Sequence, residues 1–254
     1  MKYGEKLLFL LSRNPGNDAQ IEKEGWTIDN AFSLLCTVFP DFMNEIVDKE
    51  ILDFGCGFGW QVVAFAKHGA KYVGGVDTNE TSLKKAKTLA MEFQIGEMVE
   101  FRDRLDESFQ GRFDMVISQN SMEHFECPIE IINKMKWTLK KNGKIWITFG
   151  PPWFAPYGSH MHFFTKIPWV NIIFSEKTVM NVRKQFRNDG AIRYEEVESG
   201  LNKMTVSKFE QIISNSGLKI QYKKYDCVKG INWLGKIPFV RELFINRVSC
   251  ILTQ

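Results

Sequence analysis

No stretch of this sequence combines the length and the unbroken apolar character of a membrane-spanning helix. No charge occurs between Lys144 and Lys166, yet Gly150, Pro151, Pro152, Pro156 and Gly158 interrupt that span, which excludes a transmembrane helix there. Cysteine is sparse. Cys36, Cys56, Cys127, Cys227 and Cys250 are odd in number, and no pair has zinc-ligand or Cys-x-x-Cys spacing. Reduced thiols in a cytoplasmic protein are therefore expected. An excess of one charge is also missing: 33 Lys and Arg oppose 30 Asp and Glu, a net +3 spread evenly, which argues against a nucleic-acid partner. There are no internal repeats and no low-complexity tract. The run Leu7 to Leu11 after Lys2 and Lys6 is too short for a signal core. Arg13 and Asn14-Pro15-Gly16 follow it, so a short opening helix is expected.

What is present is an α/β pattern. With 254 residues, 44% apolar and 25% charged, the chain can hold one large domain with an insertion. Ile51-Leu52-Asp53-Phe54 reads as a buried strand that ends in Gly55-Cys56-Gly57-Phe58-Gly59 and runs into a helix carrying Val62, Val63, Phe65 and Ala66. Glycines at alternate positions leave bare backbone for a ligand to lie against, and N–H groups at the helix start face it. Tyr72 to Val76 is a second strand, followed by a helix with Leu83, Ala86, Leu89, Ala90 and Phe93 on one face. Val99 to Arg102 and Met115 to Ser118 are a third and a fourth strand. Pro128 starts a helix expected to end near Lys141, and Asn142-Gly143 turns the chain into strand five, Lys144 to Phe149. The rhythm stalls over 150–204 and resumes with a helix from Thr205 to Asn215, where Ser207 and Glu210 form a candidate capping box. Leu218 to Tyr222 and Arg247 to Leu252 read as closing strands. The fold class is therefore α/β: a doubly wound, mostly parallel seven-stranded sheet, helices on both faces, and a lid inserted after strand five.

Three details choose among the ligands that such a turn can hold. Gly55-x-Gly57-x-Gly59 places its third glycine one residue earlier than the dinucleotide fingerprint. Asp53 precedes the turn, where a negative charge opposes a pyrophosphate but suits a cation. Asp77 ends the second strand, where a carboxylate accepts both ribose hydroxyls. A ligand with a ribose, a positive charge and no phosphate is S-adenosyl-L-methionine.

These residues resemble the class I S-adenosylmethionine-dependent methyltransferases, over about residues 48 to 150 and more faintly over the last fifty. The resemblance implies that Asp53, Gly55, Cys56 and Gly57 hold the methionine part and that Asp77, with Thr78 beside it, holds the ribose. It also implies that Asp103 and Arg104 line the adenine edge. Phe113 to Ser118 followed by Met122-Glu123-His124 is similar to the family's fourth-strand segment. Leu139 to Lys144 is similar to the turn before strand five. Gln119, at the end of strand four, joins the expected cofactor contacts. The implied division is an N-terminal helical segment (1–47), a Rossmann-like cofactor core (48–150), an acceptor-binding insertion or lid (151–204) and closing elements of the core (205–254).

Ligands of such sheets sit at the carboxyl ends of the strands, so the acceptor is expected near Gln119, Asn120, Glu123 and His124 and beneath the insertion. His160, His162 and His124, with Glu123, are the candidate catalytic residues, because histidine titrates near neutrality and serves as a general base. His160-x-His162 lacks a third ligand at recognisable spacing, so no metal is expected. Pro151-Pro152-Trp153 is similar to the Pro-Pro-aromatic motif of DNA adenine methyltransferases. That motif belongs after strand four, where this chain has Gln119-Asn120-Ser121-Met122, which again weighs against nucleic acid.

The expected function is methyl transfer to a small-molecule acceptor, on oxygen, with S-adenosyl-L-homocysteine as product. The aromatic insertion points to a sugar or a carbohydrate-containing metabolite. The alternatives are a non-catalytic S-adenosylmethionine binder and an NAD-dependent oxidoreductase. Ile167 to Phe174, with Trp233-Leu234 and Ile237 to Val240, could form an apolar surface for a homodimer or a lipid-linked substrate, internal packing being the simpler reading.

Overall fold

Alternation of apolar side chains across two buried faces builds this sheet. A computed structural model describes residues 2–12, 27–197 and 200–254; Arg13 and residues 14–16, read above as following the opening helix, lie outside the described residues. The strands are β1 (Glu50–Phe54), β2 (Tyr72–Val76), β3 (Val99–Arg102), β4 (Phe113–Gln119), β5 (Leu139–Phe149), β6 (Lys219–Cys227) and β7 (Ile245–Thr253). They pair in the order β3-β2-β1-β4-β5-β7-β6, and β7 alone runs opposite to the other six. The doubly wound, mostly parallel seven-stranded sheet expected from the sequence is the observed one.

The helices are α1 (Tyr3–Leu11), α2 (Ser33–Val38), α3 (Phe42–Glu45), α4 (Trp60–Lys67), α5 (Glu80–Glu92), α6 (Pro128–Thr138), α7 (Val170–Ile173), α8 (Glu176–Arg183), α9 (Val206–Ser216) and α10 (Arg241–Phe244). Ile51, Met115, Ile117, Trp146 and Ile251 face the layer formed by α2 to α5. The intervening Leu52, Val116, Ile145, Ile147 and Leu252 face α6 and α9 on the other side. Period-two alternation with both faces covered is why these strands read as nearly continuous apolar runs. Trp146 is 2% exposed, and Phe39 and Phe42 meet it edge-on at 4.9 and 5.6 Å.

The insertion has a core of its own. Met161, Phe164, Val170, Val179, Met180 and Tyr194 cluster with Leu8 of α1, and the Asn181 amide donates to Glu5 at 2.7 Å. Helix α1 thus packs on the insertion through α8. No helix among the described residues is long and apolar enough to cross a membrane.

Three boundaries differ from the sequence reading. Helix α6 ends at Thr138, and β5 already begins at Leu139. Asn142-Gly143 lies inside β5, where pairing jumps from Phe113↔Leu139 to Met115↔Lys144. The surplus residues bulge out of the ladder, and Gly143 is needed there because a Cβ would come 2.9 Å from the Phe113 carbonyl. The closing strands are also longer, since pairing between β6 and β7 continues to Cys227↔Ile245.

The third difference is the cap of α9. Thr205 is the N-cap, its hydroxyl accepting from Lys208 N at 3.0 Å. Ser207 instead donates its N–H and hydroxyl to Glu242, and Glu210 accepts from Arg241 and Lys223. An N-cap hydroxyl satisfies a backbone donor that otherwise has no partner in the helix. Thr205→Ala is therefore expected to lower the unfolding free energy by about 1 kcal/mol. Urea denaturation checks this, and a smaller loss than for Ser207→Ala would contradict the assignment.

Candidate active site

The turn between β1 and α4 is fixed by one acceptor on the neighbouring strand. The Val76 carbonyl receives Gly55 N at 2.8 Å and Cys56 N at 3.1 Å. Gly57 and Gly59 adopt φ of +50° and +79°, a region that costs other residues steric strain. Their reasons differ. A Cβ on Gly59 would stand 2.7 Å from the Cβ of Ala86, so that glycine lets α4 approach α5. A Cβ on Gly57 would meet nothing within 4 Å, so bare backbone there faces open space.

Asp77 ties the turn to the next crossover. One carboxylate oxygen accepts from Gly57 N at 2.8 Å and the other from Asn79 N at 2.8 Å. Asn79 is the N-cap of α5, its side chain accepting from Ser82 N at 3.0 Å. Asp77 therefore braces the cap without being it, and it still lines a cleft of about 950 Å³.

The cleft also brings in Gly55, Thr78, Asp103, Arg104 and His124. Asp53, Cys56, Gln119, Glu123, His160 and His162 do not line it. Asp53 is 2% exposed behind the turn, and burial first, then the charge of Asp77, push its carboxyl up to about 8. Cys56 is buried too, its thiol pushed up by burial and by the charges of Asp53 and Asp77. Gln119 accepts from the Gln61 amide at 2.9 Å on the α4 side of the sheet.

On the lid side, Glu123 and His160 are held by successive peptides. The Glu123 carboxylate accepts from Gly150 N at 3.3 Å, and its second oxygen is buried without a partner. His160 bonds the Pro151 backbone, while its Nε2 is buried without a partner. Burial lowers the His160 pKa to about 4, helped by the nearby charge of His124, and burial raises that of Glu123. His124 meets His160 edge-on at 5.6 Å, and its Nδ1 is 2.7 Å from the Gly200 carbonyl. His162 departs from this group. It is exposed and packs on Tyr157 at 5.0 Å, because the left-handed backbone at His160 (φ +54°) redirects the chain. Among the described residues no three His, Cys, Asp or Glu side chains group as metal ligands.

The sequence reading does not reach Ile131, Lys134 and Trp137, which form the far wall of the cleft. Their spacing of three on α6 places them on one helix face, the signal that marks them as a set.

Residues 52–145 match the family described as a methyltransferase domain. That match spans the glycine turn and strands β2 to β4. A ubiquinone biosynthesis O-methyltransferase of Idiomarina loihiensis is 32% identical over 134 residues, 48% of this chain and 54% of that protein. The chain spans about half the length of the curated relatives it matches. Among solved structures, an S-adenosylmethionine-dependent methyltransferase from Mesorhizobium loti superposes with a TM-score of 0.59 at 18% identity, covering 89% of this chain and all of that one. A geranyl diphosphate C-methyltransferase from Streptomyces coelicolor has a TM-score of 0.55 at 14% identity, covering 84% and 74%. At these identities the two structures speak for the fold of the methyltransferase domain, not for its acceptor.

The raised Asp53 pKa has a sign that can be checked. Between the ordinary carboxylate range and about 8, folded Asp53 keeps a proton that the unfolded chain has lost. Stability from this group therefore falls as pH rises through that window. Asp53→Asn removes the dependence. Its melting temperature is expected to exceed the parent's by an amount that grows from about pH 5 to about pH 8, as calorimetric scans would record; a constant difference would refute the burial argument.

Proposed function

We propose that the chain binds S-adenosyl-L-methionine in the cleft and transfers its methyl group to a hydroxyl oxygen of a small organic acceptor. The observation that carries this is the pairing of Asp77 with Gly57 N at the open face of the glycine turn, with a second acid, Asp53, buried behind it. A buried acid whose proton affinity is raised by the charge of a second acid fits a cationic ligand and opposes an anionic one. The open space beside Gly57 admits a ligand chain against the backbone. Asp77 and Thr78 would meet the ribose, and Asp103 and Arg104 the base. The cofactor, when bound, supplies an electrophilic methyl on a sulfonium.

The chain's own contribution is alignment and control of a proton. Glu123 suits the acceptor side: it is 3% exposed, its carboxyl is raised by burial, and one oxygen has no partner. His160 stays neutral at physiological pH and offers an unpartnered Nε2 to hold the acceptor hydroxyl. His124 is a positioning residue for this pair. His162, exposed beside Tyr157, takes no part in this reading.

An oxygen acceptor is favoured by the O-methyltransferases among the relatives. A sugar draws less support, since Trp153, Phe163 and Phe164 pack against or within the insertion's own core. A cytoplasmic setting accords with five unpaired cysteines.

Calorimetry with S-adenosyl-L-homocysteine and with NAD tests the cofactor assignment. The homocysteine compound is expected to bind, and Asp77→Ala to bind it at least about tenfold more weakly; binding of NAD instead would overturn the proposal. Glu123→Gln is expected to leave that affinity intact while lowering turnover by about a hundredfold or more, read as methylated product by mass spectrometry across a panel of hydroxylated acceptors.

A further inference from the structure

The connection from β6 to β7 presents apolar side chains to solvent. Phe239 is 98% exposed and Trp233 63%, and Ile231 and Ile237 are exposed as well. Single exposed apolar residues mean little, but a contiguous group marks an interaction surface. Helix α7 extends the group with Ile172 and Ile173, 48% and 60% exposed. Trp169, which caps α7, meets Phe244 edge-on at 6.2 Å, so the two segments adjoin.

Apart from Glu242, the charged side chains within these two segments are all basic. Lys229 and Lys236 in the connection and Lys166 ahead of α7 are all exposed. No Asp or Glu occurs between Asp226 and Glu242 or between Lys166 and Glu176. Glu242 itself accepts from Val206 N and Ser207 N. Topology sets the direction: β5 and β6 both run antiparallel to β7 and so run parallel to each other. The connection therefore leaves the sheet at the edge where the glycine turn and the insertion leave it.

We propose that the β6–β7 connection and α7 form a docking surface for an anionic lipid bilayer. Trp233, Phe239, Ile237 and the two isoleucines of α7 enter the interfacial layer, and the lysines meet acidic headgroups. A second copy of the chain is the poorer occupant, because a two-fold contact sets this basic surface against itself. The inference stands on exposure and charge and holds whatever reaction the cleft performs.

Co-sedimentation of the whole chain with vesicles tests it. Binding is expected to phosphatidylcholine vesicles containing phosphatidylglycerol and to be weak with phosphatidylcholine alone. Trp233→Ser with Phe239→Ser, and separately Lys229→Glu with Lys236→Glu, are each expected to weaken partitioning about tenfold or more. Thermal unfolding unchanged from the parent shows that both variants are folded. No binding by the parent, or binding that the folded variants retain, overturns the proposal. So does a dimer in analytical ultracentrifugation that Trp233→Ser with Phe239→Ser turns into monomer.

Discussion

The parallel register of β1 against β2 is the constraint on which the site depends. Phe54 stands opposite Val76, which puts the Val76 carbonyl where two successive amides of the turn can reach it. The next residue of β2's exit, Asp77, is then in reach of Gly57 N. A slip of one residue would reverse every side chain of the strand between its two buried faces. The same packing that stabilises the sheet thereby places the acid beside the bare backbone. Gly59 completes the arrangement from the other side, since only a residue without Cβ lets α4 start so close to Ala86.

Much of this was legible in the chain itself. Strands β2 and β3 fall where the apolar pattern puts them, because fully buried parallel strands leave a strong signal. The spacing from Asp53 through the glycines to Asp77 likewise specifies a strand, a turn, a crossover and a strand end. What spacing cannot carry is depth. Asp53 and Cys56 sit behind the turn rather than on its open face, a difference of side-chain direction that only the packed sheet decides. Nor could alternation in Leu139 to Lys144 reveal a bulge, since Asn-Gly serves a turn and a bulge equally well.

The insertion was the least legible part, for a related reason. Its aromatics serve two ends, a local core and a pocket wall, and composition does not separate them. That core is completed by Leu8, far away in sequence, so the paths of His160 and His162 depend on a contact that no local pattern announces. His160 turns inward against His124 while His162, two residues on, lies outside against Tyr157.

Fold alone does not choose the ligand, because doubly wound sheets with glycine turns serve many chemistries. In the function proposed above, electrostatics makes the choice. Burial of Asp53 beside Asp77 leaves two acids behind and beside the turn, and the charge of Asp77 makes ionised Asp53 costlier. A pyrophosphate laid on Gly57 would add to that repulsion. A sulfonium would relieve it, and the relief would favour ionised Asp53 over the protonated form that burial favours. On that proposal the buried carboxyl, unfavourable for stability, is the element that would distinguish a cation from an anion at the same backbone.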